Sequence, residues 1–203
     1  MKIKDKTRPS VPPVEPGVYI GICVAVIDLG EQYSDTFQKY SNDVQFVWEL
    51  AGETVEVDGE QKPRQLSKTF SVSASKKSNL RKFLSSWNGK QYTDAEFGEV
   101  DMFDQLGRGC QLQVVLSEDG QYSNIENVMA LPKGMPTPNT ETPYIKWDMD
   151  AWDDAVFTTL PEWVQEKIQK STQYQKIHTP EDKVEFEKPV VPAGQPKSEE
   201  CPI

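Results

Sequence analysis

Histidine is almost missing from this chain: one imidazole, His178, serves 203 residues. It falls in a proline-bearing stretch after residue 172 with no apolar period, which is expected to lack structure. Without a placed imidazole, Ser-His-Asp and Cys-His arrangements and most zinc sites are excluded, since each needs one beside a nucleophile or a metal. Cysteine is scarce as well. Cys23, Cys110 and Cys201 are odd in number, far apart and outside any CxxC. That argues against a disulfide framework and fits a reducing cytoplasm. No apolar run approaches the roughly 18 residues of a membrane span. The opening MKIKDKTRPS has basic residues with no apolar stretch behind them, so no secretory leader is expected. Phosphate-cradling loops of the GxxxxGK[ST] or GxGxxG type are absent. Asp148, Asp150, Asp153 and Asp154 could hold Mg²⁺ as in a nuclease, but four acids in a tryptophan-bearing segment more often face solvent or a partner. No catalytic residue, metal or cofactor is expected.

Apolar residues make up 36% of the chain and prolines number 15, against a globular average of about 45–50% apolar with glycine counted. Part of the chain is therefore expected to be unfolded by itself. Acid is what the middle of the chain lacks. Net charge is −10, yet no Asp or Glu occurs from Gln61 to Thr93, where Lys62, Arg64, Lys68, Lys76, Lys77, Arg81, Lys82 and Lys90 bring eight positive charges. Such a run is either a solvated face or an anion-binding one, and its isolation in an acidic chain favours neither outright.

Several segments have clear periods. A proline-rich lead-in (1–16) precedes a strand at 18–27, with Val18, Ile20, Ile22, Val24 and Val26 expected on one face and Tyr19, Gly21, Cys23, Ala25 and Ile27 on the other. The small residues of the second face suit a bent strand, or one closely approached by another backbone. A loop, LGEQYSDTFQKYSN, leads to a second strand at 43–51, VDGE marks a turn, and a third strand covers 66–72. A helix is expected over 76–87, capped by Ser75 and ended by Asn88-Gly89, with Leu80, Phe83, Leu84 and Trp87 on one stripe. Thr93-Asp94-Ala95-Glu96 has a capping-box pattern, and strands at 110–116 and 122–129 follow. One helix between strands three and four of five matches the OB-fold, a five-stranded, partly open barrel; a plain antiparallel α+β sheet is the alternative. The expected layout is thus an N-terminal extension (1–16), an OB-fold domain (17–134), an acidic aromatic arm with a short helix around Pro161 (135–171), and a disordered tail (172–203).

Binding a single strand without sequence preference requires a positive groove and ring faces for stacking. Candidate charges are Lys62, Arg64, Lys68, Lys76, Lys77, Arg81 and Lys82; candidate rings are Tyr33, Phe37, Tyr40, Phe70 and Tyr122. The aromatics of loop 29–42 either stack on bases or pack their own loop. Phe46 and Phe70 divide in the same way between core and site, whereas Trp48, Phe83, Leu84 and Trp87 have the period of a core.

The stretches PGVYIGICVAV, VQFVWEL, KSNLRKFLSSWNGK, FGEVDMFDQLGRGCQLQV, NIENVMALPKG and LPEWVQEKIQKS resemble a group of small bacteriophage proteins encoded among replication and recombination genes. That resemblance implies an OB-fold, single-stranded-DNA binding or an accessory role in DNA metabolism, and the cytoplasm of a bacterial host. The chain end, SEECPI, is similar to the tail tip of bacterial single-stranded-DNA-binding proteins. The resemblance makes Glu199, Glu200, Cys201, Pro202 and Ile203 a recruitment motif for replication or recombination proteins. Physically, a terminal apolar side chain enters a small pocket while the free carboxylate meets a basic residue. A homo-oligomer is compatible with this reading. The rival is a protein-interaction module, without DNA affinity, whose arm KWDMDAWDD binds or inhibits a cationic host factor or nuclease.

Overall fold

Apolar residues at 18–27 do form a strand, but a much longer one. The computed structural model describes residues 11–36, 38–57 and 59–178, and in it β1 (Gly17–Ser34) pairs antiparallel with β2 (Lys39–Val57), which pairs with β3 (Glu60–Ser71). Both hairpins run past the core as solvent-facing ribbons. Ladder pairs continue from Gly30 opposite Asp43 to Ser34 opposite Lys39, through the residues expected to be loop. Polarity hid them: a two-stranded ribbon outside the core needs backbone pairing but no apolar alternation. Pro63 is tolerated in β3 because β3 is an edge of the sheet.

α1 (Asn79–Asn88) begins three residues later than expected. Ser78, not Ser75, is its cap, accepting from Arg81 N at 3.0 Å, and Gly89 ends it at φ 59°. Leu80, Phe83, Leu84 and Trp87 are buried as their period requires. Next come α2 (Asp94–Gly98), with the anticipated Thr93/Glu96 capping box, and a 3-10 turn at Met102–Gln105. Then follow β4 (Gly109–Leu116), β5 (Ser123–Met129), β6 (Ile145–Trp147), α3 (Asp154–Thr159), α4 (Glu162–Gln169) and α5 (Thr172–His178).

The protein is mainly β. Its sheet has the order β3–β2–β1–β4–β5, with β6 parallel to β1 beyond the point where β4 leaves it. Six strands thus replace the expected five, and the sheet is not closed: β3 and β5 are not joined by a backbone ladder. Across that seam the Lys68 ammonium donates to the carbonyls of Ile125 and Glu126.

The expected faces of β1 are wrong beyond Cys23. Cys23 lies opposite Trp48 and Ala25 opposite Val47, so Val24 is an extra residue, a bulge that reverses the alternation. Cys23 and Val26 consequently share the first core, with Phe46, Trp48, Leu80 and Trp87, while Ala25, Ile27 and Leu29 belong to a second core on the other side. The close approach expected near Gly21 is present: a Cβ there would lie 2.9 Å from the Glu49 carbonyl oxygen.

Residues 145–178 cover that second core through Trp147, Met149, Phe157, Leu160, Val164 and Ile168. α5 carries structure seven residues into the stretch expected to have none. Tyr174 packs against the second core, and buried Ser171 sits against Gly30, whose φ of +70° and missing Cβ allow the contact.

Candidate nucleic-acid interface

Where β3 ends and α1 begins, the open side of the sheet leaves a groove of about 810 Å³. Lys68, Lys77, Lys82 and Lys39 line it, with Glu126 as the one acid among the described residues. Lys77 and Lys82 are exposed and make no ion pair among the described residues. The start of α1 opens onto the same space through Ser78 and Asn79, and its first turn carries no acid. A helix N-terminus holds partial positive charge, so the lysines and the helix end act in one sense. Lys68 is half-buried. Its ammonium lies 5.6 Å from the Phe70 ring centre and 6.0 Å from that of Phe83, and burial pushes its pKa down, with Glu126 opposing.

Not all of the expected cations reach this groove. Arg81 is buried, 7% exposed. Its Nη1 donates to Asp94 Oδ1 at 2.7 Å and its Nη2 to the Tyr92 carbonyl at 2.5 Å, and its guanidinium lies 5.2 Å from the Phe97 ring centre. It fastens α2 to α1 and is unavailable to a ligand. Arg81, with Lys76 at 3.2 Å, holds the Asp94 carboxyl below the usual range. Lys76 is exposed, but its charge is already partnered. Lys62 pairs with Glu60 at 3.6 Å, and Arg64 Nη2 donates to the Pro12 carbonyl at 2.6 Å. These two residues line a separate recess on the β2–β3 ribbon. The acid-free stretch is therefore not one track.

The rings divide similarly. Phe70 is 6% exposed, 4.3 Å from Phe83 between ring centres, and belongs to the core. Tyr33 and Tyr40 are exposed cross-strand partners near the tip of the β1–β2 ribbon, 5.0 Å apart. Tyr122 is exposed beside the β4–β5 turn. Phe37 and the tip residues Glu199, Glu200, Cys201, Pro202 and Ile203 lie outside the described residues. Sequence reasoning missed Lys39; its position beside Tyr40 was the available signal.

The acidic arm is built into the fold. Asp148 Oδ1 accepts from Asp150 N at 3.0 Å, Asp153 caps α3, and Asp154 Oδ1 accepts from Trp152 Nε1 at 2.8 Å. Among the described residues no cluster of three or more His, Cys, Asp or Glu is placed to hold a metal. His178 ends α5, stacked on Tyr174 at 4.1 Å, rather than lying in a structureless tail. Cys23 and Cys110 are buried thiols whose pKa values burial pushes far up, which makes them poor nucleophiles. No helix among the described residues is long and apolar enough to cross a membrane. Compared with protein-family models, curated proteins and solved structures, the chain has no match.

Proposed function

We propose that this chain is a bacteriophage-type, sequence-nonspecific single-stranded-DNA-binding protein that supports replication or recombination in the cytoplasm of a bacterial host. The observation that carries the reading is the lysine groove. In a chain of net charge −10, four lysines and an acid-free helix start converge on one open cleft that, among the described residues, holds a single acid. Phosphates following this cleft meet Lys77 and Lys82 without having to displace an existing ion pair.

The strand order supports an OB barrel left open between β3 and β5. In such barrels the ligand face lies near the loop between the first two strands and the loop between the last two. Tyr33 and Tyr40 stand at the first of these turns and Tyr122 at the second, so exposed rings are available for stacking at both. On this reading the tip at 199–203 recruits replication or recombination proteins.

The test is binding of an oligothymidylate at two salt concentrations. The wild-type chain binds more weakly as salt rises, because counterions leave the phosphates. Lys77→Glu with Lys82→Glu reduces affinity by at least about tenfold and lowers the slope of log affinity on log salt by about one per lysine. No binding at low salt overturns the proposal, and unchanged affinity in the double variant removes the groove as the site.

A further inference from the structure

Asp43 is not among the residues that line the lysine groove, yet its carboxylate is one hydrogen bond away from one that does. Ser71, at the β3 end of the groove, lies opposite Asp43 in the β2–β3 ladder. The Ser71 hydroxyl donates to Asp43 Oδ1 at 3.0 Å, and the Ser41 hydroxyl donates to the same oxygen at 3.4 Å. A serine side chain reaches one atom past its Cβ. Whichever Ser71 atom meets the groove, the carboxylate therefore lies within the roughly 8–10 Å over which a charge is felt at physiological salt. A bare anion at that point would oppose the phosphates that Lys68, Lys77 and Lys82 attract.

The charge that offsets it comes from the other face of the sheet. Lys167, in the last turn of α4, places its ammonium 3.3 Å from Asp43 Oδ2. The lysine is held at that place. Gln32 Nε2 donates to the Lys167 carbonyl at 3.0 Å and to the Leu29 carbonyl at 2.6 Å, which fastens the end of α4 to β1. Just beyond, the Thr172 hydroxyl donates to Glu31 Oε2 at 2.7 Å, and the Glu31 N–H donates to Gln173 Oε1 at 2.7 Å. The Asp43 and Lys167 side chains are 15% and 32% exposed, so water screens this pair less than an open surface pair. Asp43 thus gives one oxygen to the serines and the other to α4.

We propose that Lys167 is a positioning residue for the lysine groove, setting its affinity for phosphates by neutralising Asp43 while touching no ligand itself. The inference rests on the reading of that groove as a phosphate-binding site. Removing Lys167 leaves a shielded carboxylate without its counter-charge, and phosphates at the end of β3 then meet one more negative charge. Removing both members of the pair restores the original balance. Removing the Asp43 charge alone leaves the groove with one more positive charge behind it. Asparagine at 43 keeps an oxygen that accepts from Ser71, so the wall is held while the charge is lost. The helices over the second core thereby contribute to a site on the first.

The experiment is oligothymidylate binding to the full chain, at low and at high salt, for the wild type, Lys167→Met, Asp43→Asn and the double variant. Lys167→Met is expected to weaken binding about three- to fivefold at low salt, and high salt should shrink that difference. Asp43→Asn should tighten binding by a similar factor. The double variant should return to within about twofold of the wild type, a rescue that a merely structural lysine would not show. Unchanged affinity in Lys167→Met at low salt overturns the proposal and leaves the groove in place. A double variant as weak as Lys167→Met also overturns it, because Lys167 is then a direct contact or a support of the fold. Should the methionine variant not fold, Asp43→Asn decides alone, and binding no tighter than the wild type overturns the proposal. A wild-type chain that binds no oligothymidylate at low salt removes the groove reading and this inference together.

Discussion

The two faces of β1 are covered by different means. On the first, one ten-residue helix with a regular apolar stripe presses Phe83 and Trp87 against Phe46 and Trp48, whose rings lie 5.6–6.5 Å from theirs. On the second, β1 offers small and medium side chains, Ala25, Ile27 and Leu29, and three helices of six, eight and seven residues from the far end of the described chain lie over them. Helices this short are unstable alone. Their shape depends on Trp147, Phe157 and Ile168 docking, whereas α1 has caps at both ends and a stripe of its own. The first face is a domain core; the second is a coat.

Large-to-small changes test that comparison most strongly. Trp48→Ala, at 0% exposure, is expected to cost about 3–5 kcal/mol and to lower the whole denaturant transition. Trp147→Ala removes a ring that is equally buried, but its effect should concentrate in 145–178, read as loss of amide-exchange protection there while α1 keeps its own. Equal loss of protection on both faces would show that the coat and the core are one cooperative unit.

A smaller effect separates neighbours on α1. Arg81→Ala removes two charge-assisted hydrogen bonds and the packing on Phe97, and is expected to cost about 2 kcal/mol in chemical unfolding. Lys82→Ala, one residue on and exposed, should change stability by less than about 0.5 kcal/mol while weakening oligonucleotide binding. The opposite ranking in both assays would return Arg81 to the ligand site.

The smallest effects come from pH and have opposite signs in the two regions. Beside the first face, Lys90 and the Thr93 backbone N–H hold Glu96 down to about 2, against about 4.3 for a free glutamate. Its contribution is present above the free value and is lost as pH falls through about 2, so Glu96→Gln destabilises at neutral pH and is neutral in strong acid. Beneath the second face, burial raises the Asp28 carboxyl, against hydrogen bonds from the Gly30 and Met149 backbones, with Asp148 and Asp150 adding to the rise. The folded state there binds its proton more tightly than the unfolded chain. Asp28→Asn therefore stabilises at neutral pH, and its benefit fades as pH falls through the raised value. Melting temperatures across pH 2–7 measure both, and matching signs would break the contrast.

Legibility followed distance along the chain. The α1 stripe, its Gly89 end and the Thr93/Glu96 box are contacts within four residues, and period alone located them. The stretch at 29–42 was read as loop because the partners of its paired residues, not their own pattern, make them strand. The bulge at Val24 was invisible, since alternation continues through it in the letters and breaks only against β2. Of the candidate site, Lys68, Lys77 and Lys82 line the groove, Lys68 half-buried with its ammonium on the Ile125 and Glu126 carbonyls. Arg81, Lys62 and Arg64 left, each drawn off by a partner that no local pattern names, while Phe70 stays in the groove lining but is buried against Phe83.

Sequence alone determined that the chain is rich in strands, that one amphipathic helix interrupts them, and that the stretch from Gln61 to Thr93 carries charge of a single sign. Those are properties of neighbouring residues, set by backbone period and side-chain type. Tertiary structure alone decided which charges stay free. Arg81 and Lys82 differ by one step on the same helix, yet a carboxylate thirteen residues away and a ring beyond it take up the first and leave the second to solvent. The availability of a charge depends on what folds against it, and that is a fact about space.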